Sequence, residues 1–215
     1  MSKISEEEKE NLKKIIKSAG LHTISSTEEF EKCLDNCMEG FLNNPLYAHI
    51  CGKEADPTII KEIFSISYRA VEKNAITYAD SPSLNAFAVW IPSGVNQTDF
   101  KKFFSEGISS LPKLGGLSIF PRILRYETAV SGMKKSLTNH NDWYLYCCQS
   151  RPNPTEDYFI KLVSPVAIQA WKTGRACYVE LNEKSKISAL RKLGFHIVDE
   201  ITIPQTNIKL YGMMV

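Results

Sequence analysis

The sequence predicts an α/β sandwich built on one sheet, because helical and strand patterns alternate along its 215 residues. Apolar residues recur at helical spacing in the first third, and the period changes to that of strands after residue 75. Ala86–Ile91 is apolar throughout, as in a strand covered on both faces. Helices and strands in this order favour helical layers packed on a single sheet.

The individual elements follow from caps, apolar spacing and turn residues. Ser5 and Thr27 precede acidic first turns, where the helix dipole favours carboxylates, and Gly20 and Pro45 are residues that end helices. The turn Asp80–Ser83 separates two strands. In chain order we predict a helix at 5–18, a strand at 21–25, helices at 27–42 and 57–74, strands at 75–79 and 84–91, an interrupted helical stretch at 96–137, a strand at 143–149, a helix at 155–173, a strand at 175–181, a helix at 184–193, and strands at 196–203 and 207–214.

The composition is that of an ordinary soluble globular protein, with 43% hydrophobic and 23% charged residues. The net charge of +2 predicts neither a nucleic acid nor a membrane partner. No apolar run reaches about 18 residues and the N-terminus is charged, so we expect a cytoplasmic protein without a signal peptide. Six cysteines without a C-x-x-C pair, and four histidines, predict reduced thiols and no metal site.

Residues 101–136 form a basic stretch, with seven basic residues against two acidic ones. Aromatic side chains such as Phe103 and Tyr126 are interleaved with them, a pattern that can bind nucleic acid. At this overall charge we expect a basic helical surface instead. In the second helix, Cys33 and Cys37 lie four residues apart within an apolar stripe, which predicts core positions.

The last third carries the most specific pattern. Trp143-Tyr144-Leu145-Tyr146 is followed by a helix containing Pro165, by Ala176–Glu180, and by Gly194-Phe195 before the terminal strand pair. This succession resembles the GNAT superfamily of N-acetyltransferases, and most of all a branch that reads W-Y-L-Y at its fourth strand and ends in G-F followed by a β-hairpin.

The N-terminal half agrees with this resemblance. Gly40–Leu46 is similar to the helix end that closes over the substrate entrance in that branch, and Phe87–Gly94 to its third strand and exit. The resemblance implies a mixed, mostly antiparallel sheet of about six or seven strands flanked by helices. It covers about Leu21–Val215, so we predict one GNAT-like domain at 21–215 and an N-terminal helical extension at 1–20.

The resemblance also implies acetyl-CoA as the acetyl donor, with the amine of a small molecule or a peptide as acceptor. In GNAT enzymes the fourth strand diverges from the fifth and its free backbone groups bind the pantetheine arm. A glycine-containing loop then holds the pyrophosphate at a helix start, where backbone N–H groups attract phosphate. The implied donor-binding residues of this chain are Tyr146, Cys147, Cys148, Gln149, Arg151, Thr155, Tyr158 and Phe159.

Two departures from the family pattern concern the chemistry. The loop position has no glycine between Gly132 and Gly174, and Glu156 and Asp157 place negative charge there, so we expect weak donor binding. Leu190 stands where many members have a tyrosine that protonates the leaving thiolate. Two functions therefore stay open: an N-acetyltransferase with impaired catalysis, and a catalytically inactive GNAT-fold protein that binds another ligand or a protein partner.

Glu180 is the candidate general base, and its alternative is a surface carboxylate at a strand end. We expect Tyr47, Trp143 and Tyr211 to line an acceptor pocket with it, since such pockets combine a few polar groups with apolar walls. The alternative is that these side chains scatter, because a shift of one residue reverses the direction of every strand side chain. We expect a monomer or a homodimer.

Overall fold

The computed structural model describes residues 4–92, 110–137, 142–152 and 156–215, which form eight helices and seven strands. The helices are α1 Glu6–Ser18, α2 Thr27–Leu42, α3 Pro45–Cys51, α4 Pro57–Val71, α5 Leu111–Gly115, α6 Ile119–Leu137, α7 Glu156–Lys172 and α8 Lys184–Lys192. The strands are β1 His22–Thr23, β2 Ile76–Ala79, β3 Ala86–Pro92, β4 Trp143–Ser150, β5 Cys177–Leu181, β6 His196–Thr202 and β7 Lys209–Met214.

All seven strands belong to one sheet, in the order β1-β2-β3-β4-β5-β7-β6. Every neighbouring pair is antiparallel except β4 and β5, which run parallel. This confirms the predicted mixed, mostly antiparallel sheet. β3 is buried at all of its positions, as its continuous apolar run predicts.

Helices cover both faces of the sheet. On one face, α1, α7 and α8 contribute Leu12, Phe159 and Leu190 to a shared core. On the other face, α2 and α4 pack onto β2 and β3, as Phe30 illustrates, and α3, α5 and α6 extend this layer toward β7 through residues such as Ile119. The site described below therefore has helices on both sides of the central strands.

Helix α3 is an element that the sequence pattern did not predict. Asn44 caps it by accepting a hydrogen bond from the Leu46 backbone N–H at 3.0 Å, and Pro45 occupies its first turn. Asparagine and proline are favoured at these two positions of a helix start, so the same residues that end α2 also begin α3. Helix α3 carries Tyr47, one of the residues expected to line the acceptor pocket.

The N-terminal helix is present and is tied to the sheet end. Ser5 and Glu8 form a reciprocal capping box at its start. Glu8 also accepts two hydrogen bonds from Arg175, at 2.9 Å from Nε and 2.8 Å from one terminal nitrogen. Leu12 and Ile16 are buried in the same core as α7. The division into an extension at 1–20 and a domain at 21–215 stays a prediction.

Candidate functional site

Strands β4 and β5 pair over only two residues and then separate. The pairing joins Trp143 to Cys177 and Tyr144 to Tyr178, and β4 continues to Ser150 without β5. On the β3 side, the register jumps from Leu145 to Cys147, so a bulge falls in β4 at this point. The separation is the divergence that the family resemblance implies, and it opens a gap in the middle of the sheet.

A cavity of about 80 Å³ lies in this gap. Its wall combines aromatic rings with polar groups from β4, β5 and the helices α2, α3, α6 and α8. The lining residues used below are Tyr47, Tyr126, Tyr144, Tyr146, Glu180, Glu183 and Lys186.

Glu180 is the buried carboxyl group of this cavity. Its side chain is 2% exposed, and its Oε1 atom has no hydrogen-bond partner among the described residues. Burial raises the pKa of Glu180, whereas Lys134 and the Tyr144 side chain lower it. A carboxyl oxygen without a hydrogen bond lowers the stability of a protein interior. This atom is therefore suited to accept a hydrogen bond from a ligand.

Lys134 of α6 supplies the nearest cation. Its Nζ atom lies 3.9 Å from Oε1 of Glu180 and 3.6 Å from the centre of the Tyr144 ring. The Lys134 side chain is 21% exposed, and burial lowers its pKa. The basic stretch is therefore not a uniformly solvated helical surface, because this lysine is directed toward the sheet.

A second cation, Lys186 of α8, lies at the end of the gap beside Cys148 and Gln149 of β4. Its Nζ donates hydrogen bonds to the backbone carbonyl of Cys148 at 3.0 Å, to Oε1 of Glu183 at 2.8 Å and to Oε1 of Gln149 at 3.3 Å. The lysine thus connects α8 to the part of β4 that β5 leaves unpaired. Packing is tight here, because a Cβ on Gly40 of α2 would lie 2.8 Å from the Gln149 side chain.

Beyond Lys186 the gap widens into a cleft of about 370 Å³. Gln149 and Arg151 line it from the end of β4, Tyr158 and Phe159 from α7, and Lys186 from α8. The Arg151 guanidinium donates a hydrogen bond to Oδ1 of Asn85 at 3.0 Å. The small cavity and this cleft share Gln149, Phe159, Glu183 and Lys186 in their walls.

No family model matches the sequence, and no curated protein matches it significantly. Several solved structures do match, two of them over nearly the whole chain. A histone acetyltransferase HPA2 and related acetyltransferase from Corynebacterium glutamicum superposes with a TM-score of 0.53 at 15% identity, over 91% of this chain and 95% of that one. A mosquito arylalkylamine N-acetyltransferase like 5b superposes with a TM-score of 0.51 at 13% identity, over 91% and 98%.

The chain has the GNAT acetyltransferase fold. The resemblance inferred from the order of motifs is thereby confirmed at the level of the fold. In this GNAT fold, the W-Y-L-Y segment lies on β4, the strand that diverges.

The predicted donor residues gather along this gap. Tyr146, Cys147 and Cys148 line the small cavity, Arg151 and Tyr158 line the cleft, and both walls include Gln149 and Phe159. Thr155 lies outside the described residues, as do the side chains of Glu156 and Asp157, so the expectation of a weakened phosphate loop stays a prediction. A role for these residues in binding a donor also stays a prediction.

Two of the four predicted acceptor residues require a correction. Tyr47 and Glu180 line the same cavity, whereas Trp143 and Tyr211 lie outside its lining. Trp143 is buried in the core on the α1 and α7 side of the sheet, and Tyr211 packs against that core. The reason is strand alternation, since Tyr144 and Leu210, their neighbours in sequence, are the residues directed toward the cavity.

The cysteines of the site have unreactive surroundings. Cys147 and Cys148 belong to cores on opposite faces of the sheet, as strand alternation predicts. Burial raises the pKa of the Cys148 thiol to about 12 and that of Cys147 further. Both thiols are therefore protonated at neutral pH, and a nucleophilic thiolate is not available here. Cys33 and Cys37 are buried in the core, as predicted.

Sequence reasoning missed three contributors to the GNAT gap. The sequence pattern predicts a basic surface stretch for Tyr126 and Lys134, and it predicts no role for Lys186 on its short polar helix. One signal was available for α6, since Tyr126, Val130 and Met133 recur at helical spacing and mark an inward face. No comparable signal exists for Lys186, because its partners come from β4, which is distant in sequence.

The described residues contain no group of three or more His, Cys, Asp or Glu side chains arranged to hold a metal ion. Among the helices of the described ranges, none is long and apolar enough to cross a membrane. Leu190, where the family resemblance implies a tyrosine, is fully buried in the core. This position of α8 therefore offers no hydroxyl group to protonate a leaving thiolate.

Proposed function

We propose that this protein is an acetyl-CoA-dependent N-acetyltransferase that acts on a small amine, with Glu180 as the proton acceptor. The observation that carries the proposal is the Oε1 atom of Glu180, which has no hydrogen-bond partner in the described part of the chain and is buried at a cavity where β4 and β5 diverge in a GNAT fold. The acetyltransferase names of the two matching structures support the same reaction class.

The donor end of the gap has the features that an extended thioester requires. When bound, acetyl-CoA supplies an activated acetyl group whose carbonyl carbon the amine attacks and whose C–S bond breaks. Beyond the bulge, β4 offers backbone groups that β5 does not use, and the cleft of about 370 Å³ continues from that strand. Arg151 at its wall carries a positive charge that favours phosphate.

The acceptor end has the groups needed to bind and deprotonate an amine. An amine N–H can donate to Oε1 of Glu180, and the carboxylate takes its proton as the nitrogen bonds to the acetyl carbon. The rings of Tyr47, Tyr126 and Tyr146 form walls that suit a cationic or neutral amine. The cavity volume of about 80 Å³ is well below the roughly 150 Å³ that holds benzene, which favours a small amine over a peptide.

A catalytically inactive GNAT-fold protein is the second candidate, and two observations favour it. Lys186 occupies the diverging part of β4 by bonding to the Cys148 carbonyl, and Leu190 provides no hydroxyl for the leaving thiolate. In this case the cavity around Glu180 serves to bind a ligand without transferring an acetyl group to it.

Calorimetry with acetyl-CoA and free CoA, followed by a CoA-release assay with small primary amines and short peptides, separates the two candidates. An acetyltransferase binds acetyl-CoA and releases CoA only when an amine is present. We expect a dissociation constant in the high-micromolar range, near −5.5 kcal/mol or weaker, because of the acidic loop sequence. Absence of acetyl-CoA binding and of amine-dependent CoA release would establish the inactive candidate.

A further inference from the structure

The half-buried Lys134 of α6 contacts both an aromatic ring and a carboxyl group. The Lys134 ammonium lies over the Tyr144 ring, with 3.6 Å to its centre, and 3.9 Å from Oε1 of Glu180. A cation held over an aromatic face in a desolvated place is attracted to the ring and loses much of its freedom to move. Its position relative to the carboxyl group is therefore defined from two sides.

The distance between the two charges leaves the carboxyl oxygen available. At 3.9 Å the pair is an ionic contact, and Oε1 of Glu180 has no hydrogen-bond partner among the described residues. A lysine at normal hydrogen-bond distance would occupy a lone pair that an incoming amine needs. Lys134 provides positive charge without occupying that site.

Helix α6 presents charges of both signs to this region. Glu127 and Lys134 are seven residues apart on α6, which places them on one side of the helix, and Val130 between them is buried. Lys134 lowers the pKa of Glu180, and Glu127 raises it. The described titratable or charged groups around Glu180 include, by element, Tyr47 on α3, Tyr126, Glu127 and Lys134 on α6, Tyr144 and Tyr146 on β4, Tyr178 on β5, Glu183 at the start of α8, and Lys186 on α8.

We propose that Lys134 is a positioning residue that keeps Glu180 ionised as the proton acceptor of the site. The inference rests on the proposed function and adds to it a residue outside the sequence motifs on which the GNAT resemblance is based. A buried carboxyl group tends to stay protonated, and a protonated Glu180 cannot accept a proton. The ammonium of α6 offsets this tendency.

The direct test is a pH titration of Glu180 by NMR on protein labelled with ¹³C at the glutamate carboxyl carbons, with Glu180→Gln to identify its resonance. In Lys134→Met the midpoint of Glu180 should rise by about one pH unit or more, the usual effect of losing an opposite charge at this distance. Lys134→Arg retains the charge and should shift the midpoint by less than half as much. Glu127→Gln is the control of opposite sign and should lower it.

Enzyme kinetics then connect the titration to the reaction. In the wild type, kcat/KM should rise with pH through the Glu180 midpoint, and Lys134→Met should move this limb to higher pH while activity recovers on the alkaline side. A purely structural role for Lys134 would lower activity equally at all pH values. That result, or a Glu180 midpoint unchanged in Lys134→Met, would overturn the proposal.

Lys134→Gln serves as a second neutral variant if the methionine variant does not fold, and the same two outcomes decide the matter. The NMR readout does not depend on turnover. A shifted midpoint without acetyl transfer in any variant would therefore reject the proposed function while retaining the ionic control of Glu180. An unshifted midpoint in an active enzyme would reject Lys134 alone.

Discussion

The two ends of the gap between β4 and β5 differ in how the lysine at each end contacts the polar groups beside it. At the proposed acceptor end, Nζ of Lys134 lies 3.9 Å from Oε1 of Glu180, an atom with no hydrogen-bond partner among the residues that the structure describes. At the proposed donor end, Lys186 donates hydrogen bonds of 3.0 Å to a β4 carbonyl and 2.8 Å to Glu183. The first end thus has a carboxyl oxygen that can still accept a hydrogen bond, whereas at the second end a lysine of the same chain already bonds to the strand carbonyl.

Under the proposed function, an amine would meet a free carboxyl oxygen, whereas the thioester would compete with Lys186 for the Cys148 carbonyl. An unpaired buried group costs stability, and such a cost is common at functional sites. The Cys148 carbonyl, which already accepts a hydrogen bond from the Lys186 ammonium, must lose that bond before it can bind a ligand. The acceptor end should therefore be sensitive to loss of one group, and the donor end should improve when its internal partner is removed.

The largest effect is expected from Glu180→Gln. The amide cannot take a proton, so kcat in the CoA-release assay should fall about 100-fold or more, the usual contribution of a general base. Glu200→Gln on β6, whose carboxylate is exposed and paired with Lys209, is the matched control and should leave kcat unchanged. Equal activity of both variants would show that the acceptor end does not provide the base.

Gly40→Ala tests the close packing of the donor end. The new methyl group would lie 2.8 Å from both the Gln149 side chain and the Ser150 carbonyl, so the variant should lose about 1–3 kcal/mol of unfolding free energy. A Cβ added at Gly132 on α6 would have no neighbouring atom of the described residues within 4 Å, so Gly132→Ala should gain about 0.5–1 kcal/mol of unfolding free energy. Urea denaturation of the two variants measures the contrast, and similar stabilities would mean that α2 does not need this approach to β4.

Lys186→Met addresses the competition at the donor end. Removal of the ammonium frees the Cys148 carbonyl, so acetyl-pantetheine, which lacks the phosphates of CoA, should bind about tenfold more tightly. This probe avoids any attraction between the lysine and phosphate. Calorimetry of wild type and variant gives the result, and weaker binding would instead make Lys186 a ligand of the donor.

The smallest effect is a pH-dependent gain in stability for Glu180→Gln. Burial raises the pKa of Glu180 above its ordinary value of 4.5, so the native state holds its proton more tightly than the unfolded state. The protonated Glu180 carboxyl therefore stabilises the native wild type fully below about pH 4.5. This contribution to the free energy of unfolding is lost as the pH rises through the native pKa. The stability of Glu180→Gln relative to wild type should increase over the same interval in urea denaturation at several pH values. A difference that does not change with pH would mean that Glu180 does not titrate on unfolding.

Most of the fold could be predicted from local patterns. The apolar run of β3, the cap at Ser5, the helix start at Thr27, and the alternation along β4 and β5 are properties of neighbouring residues, and each of these elements appears close to its expected place. Alternation also placed Cys147 and Cys148 on opposite faces of the sheet. The exception is α3, whose start signal at Asn44 and Pro45 also serves as a stop signal for α2.

The candidate site was predictable only in part. Tyr47 and Glu180 share a cavity as expected, but Trp143 and Tyr211 do not, although all four belong to elements of the predicted GNAT fold. A strand side chain changes face with every residue, so the correct strand does not ensure the correct direction. Tyr144 takes the position toward the cavity that was expected of Trp143.

The sequence by itself determined the class of the sheet, the order of its elements and the GNAT resemblance, because these depend on periodicity, caps and motif order along the chain. The tertiary structure alone decided which charges meet. Lys134 reaches Glu180 across 46 positions and Lys186 reaches Cys148 across 38, and neither pairing leaves a local pattern. Electrostatic control of a site depends on distances of a few ångströms between distant segments, and only the packed sheet and its helices establish those distances.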